Sequence, residues 1–370
     1  LPDENVFSIA ASKGEVWAGM AGAVARFAAS SGTWTAMSPP GLATRVVCIH
    51  IAKGGVWLGT FGDGLFRYRS GAWESYTTEN GLPDNRVADL ASDGEYLYIA
   101  TSGGGARASL DAEIPSFQTI GGAGLPEKTT SAVAVLKGMI WFGTNANGVL
   151  GFDRASLSFK KQVSIGDGLS DSRILALAAD DEFLWIGTGA GGLCRYDPED
   201  GSIVTYDKST GLADNSVGSV ATNSRIWAGS LTFGVTAIGR RGGIGVYRRS
   251  EGLASSEVRD IAVDGAYVWF ATSAGVTRFR GEIAKPEGSG IPLLYVAVAI
   301  VLVLGVVSPW VVRSRKRKEG TAQAGRAKKR PYEVCQGKPA KELCPFCRYN
   351  TIRAGSHYCS KHKLPIPFED

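Results

Sequence analysis

The amino-acid sequence predicts an all-β ectodomain folded as a seven-bladed β-propeller, followed by one transmembrane α-helix and a small zinc-binding module. Three observations carry that prediction. A Gly-Leu pair recurs at near-constant spacing through the first 253 residues, a charge-free apolar run fills residues 291–312, and four of the six cysteines lie in the last 36 residues. The implied boundaries are a propeller over residues 1–281, a linker over 282–290, the membrane span over 291–312, a basic juxtamembrane linker over 313–332 and the metal module over 333–370.

The pairs are Gly41-Leu42, Gly81-Leu82, Gly124-Leu125, Gly168-Leu169, Gly211-Leu212 and Gly252-Leu253, spaced by 40, 43, 44, 43 and 41 residues. Leu1-Pro2-Asp3 matches Leu82-Pro83-Asp84, so the chain opens inside a repeat and the copies number seven. In each copy a β-rich run, such as residues 87–90 or 258–261, precedes an aromatic-x-(Gly/Ala) segment. These segments are Trp17 with Gly19, Trp57 with Gly59, Tyr98 with Ala100, Trp141 with Gly143, Trp185 with Gly187, Trp227 with Gly229 and Trp269 with Ala271. A Gly-containing turn and a third run follow, as in residues 64–68 and 192–196. A fourth run carries pairs such as Trp73/Tyr76, Phe117/Ile120 and Ile203/Tyr206. Short runs rich in Val, Ile and aromatics, separated by Gly, Asp, Asn and Ser, are strands and turns; four per repeat of this length make one propeller blade. The aromatic on the second strand offers a large apolar face between neighbouring sheets. The Gly or Ala two positions on shares that face and leaves room for the next blade.

This pattern, GL-x-x-N-x-V and then W-x-G-T-x-x-G-(L/V)-x-(R/F), resembles the two-component regulator propeller repeat. The likeness extends over nearly all of residues 1–281 and is closest in residues 81–106 and 168–197. It implies a periplasmic or extracellular sensor domain, joined in many members through one membrane helix to a histidine kinase. It speaks for the fold more than for a ligand, because one fold hosts many functions. Where a kinase would stand, this chain departs from the pattern: only 58 residues follow the span, with no ATP-binding motif.

The seventh copy ends early. After residues 276–280 comes GEIAKPEGSG, with no fourth-strand pattern. A propeller ring lacks an open edge only when every blade is completed. The expectation is therefore a chain truncated at its N-terminus, whose missing part supplies a completing strand, an export signal and room for further blades.

Connections from fourth to first strands and from second to third strands emerge on one face, where loops on a rigid scaffold commonly bind. The candidate ligand contacts there are Arg45, Phe61, Asp63, Asn85, Arg86, Asn145, Asn147, Arg173, Asn215, Phe233 and Arg259. Asn and Asp at such places commonly fix turns through their own backbone, which leaves the Arg and Phe members as the better contacts. Catalysis finds no constellation. His50 is the only histidine before the span and falls on an innermost strand, where other copies have Ala10, Ala91 or Ala178. Cys48 and Cys194 belong to the second and fifth copies, too far apart for a disulfide, and read as small buried hydrophobes.

Residues 291–312, IPLLYVAVAIVLVLGVVSPWVV, are long enough as a helix to cross a bilayer of about 30 Å. Tyr295 and Trp310 suit the two interfaces, and Arg313, Arg315, Lys316, Arg317 and Lys318 follow at once. Basic residues stay on the cytoplasmic side, so the propeller lies outside the cell membrane and the tail inside. The charges divide accordingly: 15 Lys/Arg against 5 Asp/Glu follow residue 312, and 25 against 30 precede it. Residues 291–318 thus combine a membrane anchor with a cationic segment drawn to anionic lipid.

In the tail, Cys344 and Cys347 form a CxxC, and Cys359 and His362 form a CxxH 11 residues later. Paired knuckles at this spacing suit one structural Zn2+ in a zinc-ribbon-like or knuckle module, with Cys335 and His357 as alternate ligands. A reducing compartment favours metal over disulfide. So short a segment takes much of its folding energy from the metal. Its partner is expected to be a cytoplasmic protein, with nucleic acid as the weaker alternative.

The function these features predict is a single-pass sensor whose propeller binds an extracellular ligand and whose zinc module recruits a protein. Subunit association into a homo-oligomer would help one helix transmit a signal. The alternatives are a non-catalytic scaffold or adhesin of a cell-envelope complex and, third, a propeller lyase or hydrolase.

Overall fold

Seven small antiparallel sheets follow one another along the chain, which is what seven copies of one strand-and-turn pattern dictate. The computed structural model describes residues 1–53, 55–121, 128–240, 242–280, 350–353, 356–359 and 364–366. Blades 1 to 6 each have four strands hydrogen-bonded in chain order, and blade 7 has three among the described residues. The innermost strands are Ser8–Ser12, Val46–Ala52, Val87–Ser92, Thr130–Leu136, Ile174–Ala179, Ser219–Thr222 and Val258–Asp264. Each packs against the next around the ring, and Val258–Asp264 packs against Ser8–Ser12, so the propeller closes.

The repeated aromatic makes each blade-to-blade joint. Trp17 packs between blades 1 and 2, Trp57 between 2 and 3, and Tyr98 between 3 and 4. Trp141, Trp185, Trp227 and Trp269 do the same around to blade 1. The small residue after the aromatic is needed because the next inner strand approaches closely there. A Cβ on Gly59 would lie 2.6 Å from Cγ1 of Val87 and 2.4 Å from Sγ of Cys48. The Gly-Leu pair is likewise mechanical. Gly81 ends the short 3-10 turn Thr78–Asn80 at a φ of 97°, and Leu82 then drops into the joint between blades 2 and 3. Cys48 and Cys194 are free and buried, as expected from their separation.

Blade 7, three-stranded among the described residues, meets blade 1 through specific bonds. Val6 N–H donates to the Thr272 carbonyl (3.0 Å) and Ile9 N–H to Asp260 Oδ2 (2.8 Å). Asp264 accepts from the backbone of Lys13 and Gly14, at 3.0 and 2.6 Å. Val6, Ile9, Met20, Ala262 and Trp269 fill the joint behind them. The inner strands and their apolar faces join blade 7 to blade 1, because a blade buries its neighbour through its face.

In a second unit, Asn350–Arg353, Ser356–Cys359 and Leu364–Ile366 form a three-stranded antiparallel sheet. The expected span at 291–312, both linkers, and Cys335, Cys344, Cys347 and His362 lie outside the described residues. Among the described residues no helix is long and apolar enough to cross a membrane, and no cluster of three or more His, Cys, Asp or Glu is placed to hold a metal.

Candidate binding face of the propeller

The turn between second and third strands is built by the threonine of the W-x-G-T motif. Thr60 Oγ donates to the Gly64 carbonyl (2.8 Å) and accepts from Asp63 N–H (2.9 Å); Thr188 does the same with Gly192 and Gly191. These turns meet the loops that enter the inner strands. Phe61 N–H donates to the Arg45 carbonyl (3.0 Å), Gly64 N–H to the Asn85 carbonyl (3.0 Å) and Ser102 N–H to the Arg86 carbonyl (3.1 Å). Both sets of loops therefore share one face, as the antiparallel order requires.

On that face the structure assembles four of the predicted residues around two phenyl rings. The guanidinium carbon of Arg45 lies 4.1 Å from the centroid of Phe61 and 5.7 Å from that of Phe7. Arg86 lies 5.4 Å from Phe61, and Arg259 lies 4.3 Å from Phe7. The result is an alternating row, Arg86–Phe61–Arg45–Phe7–Arg259, across blades 3, 2, 1 and 7. Arg259 is also held by Glu257 and by Asn5 Oδ1 (2.6 Å). Phe7, Asn5 and Glu257 were not among the sequence candidates. Phe7 falls on the approach to an inner strand that reads as core, and only ring closure sets it beside Arg259.

The Asn and Asp candidates serve the backbone. Asp63 Oδ2 accepts from Ala43 N–H, Thr44 N–H and the Thr44 hydroxyl, at 2.9, 2.6 and 2.8 Å. Asn85 and Asn215 each accept from a backbone N–H seven residues earlier, Thr78 and Lys208, at 2.8 Å. Asn147 N–H donates to Thr144 Oγ, and its carbonyl accepts from Gln162. Asn145 is exposed in the blade 4 turn and Arg173 is exposed at the blade 5 entry. Phe233, with the Lys208 ammonium 5.0 Å from its ring centroid, belongs to a separate exposed pair with Leu231 in blade 6.

Below this face the inner strands carry ionisable groups. Asp89 and Asp260 occupy equivalent positions, each bridging to the next blade: Asp89 Oδ2 accepts from Val133 N–H (2.8 Å), as Asp260 does from Ile9. They lie deep in the ring with partial exposure to its lumen, and burial pushes both carboxyls up to about 7 against the pull of those hydrogen bonds. His50 Nε2 pairs with Ser92 Oγ (2.8 Å), and burial lowers the imidazole to about 4. Burial, with Asp89 and Asp260 adding to it, raises the Cys48 thiol. Each of these side chains has a partner within the fold: Asp89 and Asp260 accept from backbone N–H groups, and His50 pairs with Ser92.

No protein-family model and no curated protein sequence matches the chain. Solved structures do match. The extracellular domains of the putative hybrid two component systems BT3049 and BT4673 from B. thetaiotaomicron align with TM-scores of 0.62 and 0.59 at 16% and 19% identity. Each alignment covers 75% of this chain, and 40% and 38% of those domains. PorZ, a bacterial surface component of the type-IX secretion system of Porphyromonas gingivalis, aligns with a TM-score of 0.57 at 16% identity, over 77% of this chain and 48% of PorZ. What is shared is the propeller fold. The chain spans less than half the length of each of these structures.

Proposed function

We propose that the propeller is the extracytoplasmic recognition head of a single-pass membrane sensor, and that the tail is a zinc module recruiting a cytoplasmic protein. The observation that carries this reading is the row of arginines and phenyl rings on one face, exposed at Arg45, Phe61 and Arg86 and half-buried at Phe7 and Arg259. Its backbone is pinned by turn hydrogen bonds, so its order is not lost to solvent. Fold likeness to two sensor ectodomains supports an extracellular or envelope setting. In the tail, Asn350, three residues beyond Cys347 in sequence, pairs with Cys359. That register supports a site in which both knuckles share one Zn2+, which would tie the sheet together and supply no chemistry.

The test is an affinity capture of the full chain from native membranes, wild type against Cys344→Ser/Cys347→Ser. The expected result is a cytoplasmic protein present with the wild type and absent with the variant. Likeness to PorZ favours a second reading, a scaffold of an envelope assembly. Envelope subunits retained equally by both forms would decide for that reading and against the sensor.

A further inference from the structure

We propose that Arg45 and Arg86, gathered at the exposed ring of Phe61, form an oxyanion subsite for a ligand carrying carboxylate or sulfate groups beside an apolar part that touches Phe61. This rests on the reading of that face as the recognition face and names the chemistry it takes.

Among the described residues, Arg26, Arg67, Arg154, Arg240 and Arg259 each pair with an acid. Arg45 and Arg86 are exposed, form no ion pair and donate no side-chain hydrogen bond among the described residues; like Arg195 and Arg278 they have aromatic partners instead, and they are the two that share one exposed phenyl ring. Tyr96 gives the internal comparison. It too has two arginines over its ring, Arg107 and Arg154, at 4.4 and 5.8 Å. There Arg107 donates to Gln118 and to the Arg154 carbonyl, and Arg154 donates to Asp93 and Glu95, so that cluster is complete. At Phe61 the same arrangement is left open.

Contact through the ring leaves the guanidinium N–H donors available, and they suit a planar or tetrahedral oxyanion. The loops are already ordered. Asp63 holds residues 43 and 44, Phe61 N–H holds the Arg45 carbonyl, and Arg86 N–H is fixed by Asp84 Oδ1 at 2.8 Å. Each guanidinium carries a positive charge with no acidic partner among the described residues, so an anion beside either one is attracted. Phe61, 45% exposed, supplies an apolar contact beside the two guanidiniums.

The test uses the full chain in nanodiscs at constant ionic strength. The probes are phthalate, its neutral diamide and inorganic sulfate, followed by calorimetry. Wild type is compared with Arg45→Gln, Arg86→Gln, Phe61→Leu and, as control, Lys160→Gln on the outer strand of blade 4. Phthalate is expected to bind, to weaken at least tenfold in either arginine variant and to be unchanged in K160Q. Sulfate binding lost in the arginine variants and kept in F61L would assign the oxyanion part to the guanidiniums alone and support the proposal. Equal binding of phthalate and diamide, abolished in F61L, would overturn the oxyanion subsite while keeping this face as the recognition face. No binding of any probe, or phthalate binding unchanged by R45Q and R86Q, would overturn the subsite. Unaltered thermal unfolding of the unliganded variants excludes misfolding as the cause.

Discussion

At the scale of one residue, the aromatic of each repeat does the same packing but not the same polar accounting. Trp185 Nε1–H donates to Asp180 Oδ2 (2.8 Å), whereas Trp141 Nε1 is buried with no protein acceptor among the described residues. Trp→Phe at position 185 removes a satisfied hydrogen bond as well as ring volume; at 141 it removes a buried donor without one. We expect Trp185→Phe to be the more destabilising by about 1 kcal/mol, read from urea midpoints. Equal losses would show that ring volume alone decides. Either tryptophan replaced by Ala should cost about 3–5 kcal/mol, the usual consequence of a large core cavity.

At the scale of the element, the turn between second and third strands is the unit that links fold to binding. Replacing Thr60 by Val keeps the shape but removes the acceptor for Asp63 N–H and the donor to the Gly64 carbonyl. About 1–2 kcal/mol of stability should go, and phthalate affinity with it, because Phe61 rides on that turn. A stability loss with unchanged affinity would show that the ring is positioned by the arginines instead. This turn also shows what was legible beforehand. The Thr and Gly of W-x-G-T-x-x-G were visible as a repeat, because a blade reuses the same backbone bonds seven times. Arg45, Phe61 and Arg86 were visible as loop residues on the shared face. Their gathering was not, because it depends on which blades are neighbours and on how far each side chain reaches. Phe7 was hidden for the same reason. Asn85, Asn215 and Asp63 proved to be backbone partners, which their short acceptor side chains favour anywhere in a turn.

At the scale of the whole molecule, the ring closes where blade 7 meets blade 1, between residues some 250 positions apart in the sequence. Asp89 and Asp260 make the same inter-blade bond, but Asp89 does so where the chain continues and Asp260 where the ring closes. Asp260→Ala should therefore free blade 1 and blade 7 selectively, with early amide exchange in Ser8–Ser12 and Val258–Asp264. Asp89→Ala should lower stability without that local opening. Titration adds a second readout. A carboxyl whose folded value is raised from 3.8 to about 7 keeps its proton in the fold after the unfolded chain has lost it, so stability falls as pH climbs from about 4 to about 7. His50, lowered from 6.5 to about 4, acts in the opposite sense: the unfolded chain takes up a proton first as pH drops, so its contribution rises with pH between about 4 and 6.5. Two carboxyls against one imidazole leave a net fall with rising pH. Asp89→Asn/Asp260→Asn removes both carboxyl titrations while keeping one oxygen per residue for the inter-blade N–H of Val133 and of Ile9, with the acceptors of Leu90 and Ile261 N–H given up, and among the described residues His50 is then the shifted group that titrates in that window. The slope of urea-derived stability between pH 5 and 6.5 should then reverse sign, from falling in the wild type to rising in the double variant. A slope of unchanged sign would mean that lumen water keeps these carboxyls ionised at the ordinary range, and that the ring closes on charged acceptors.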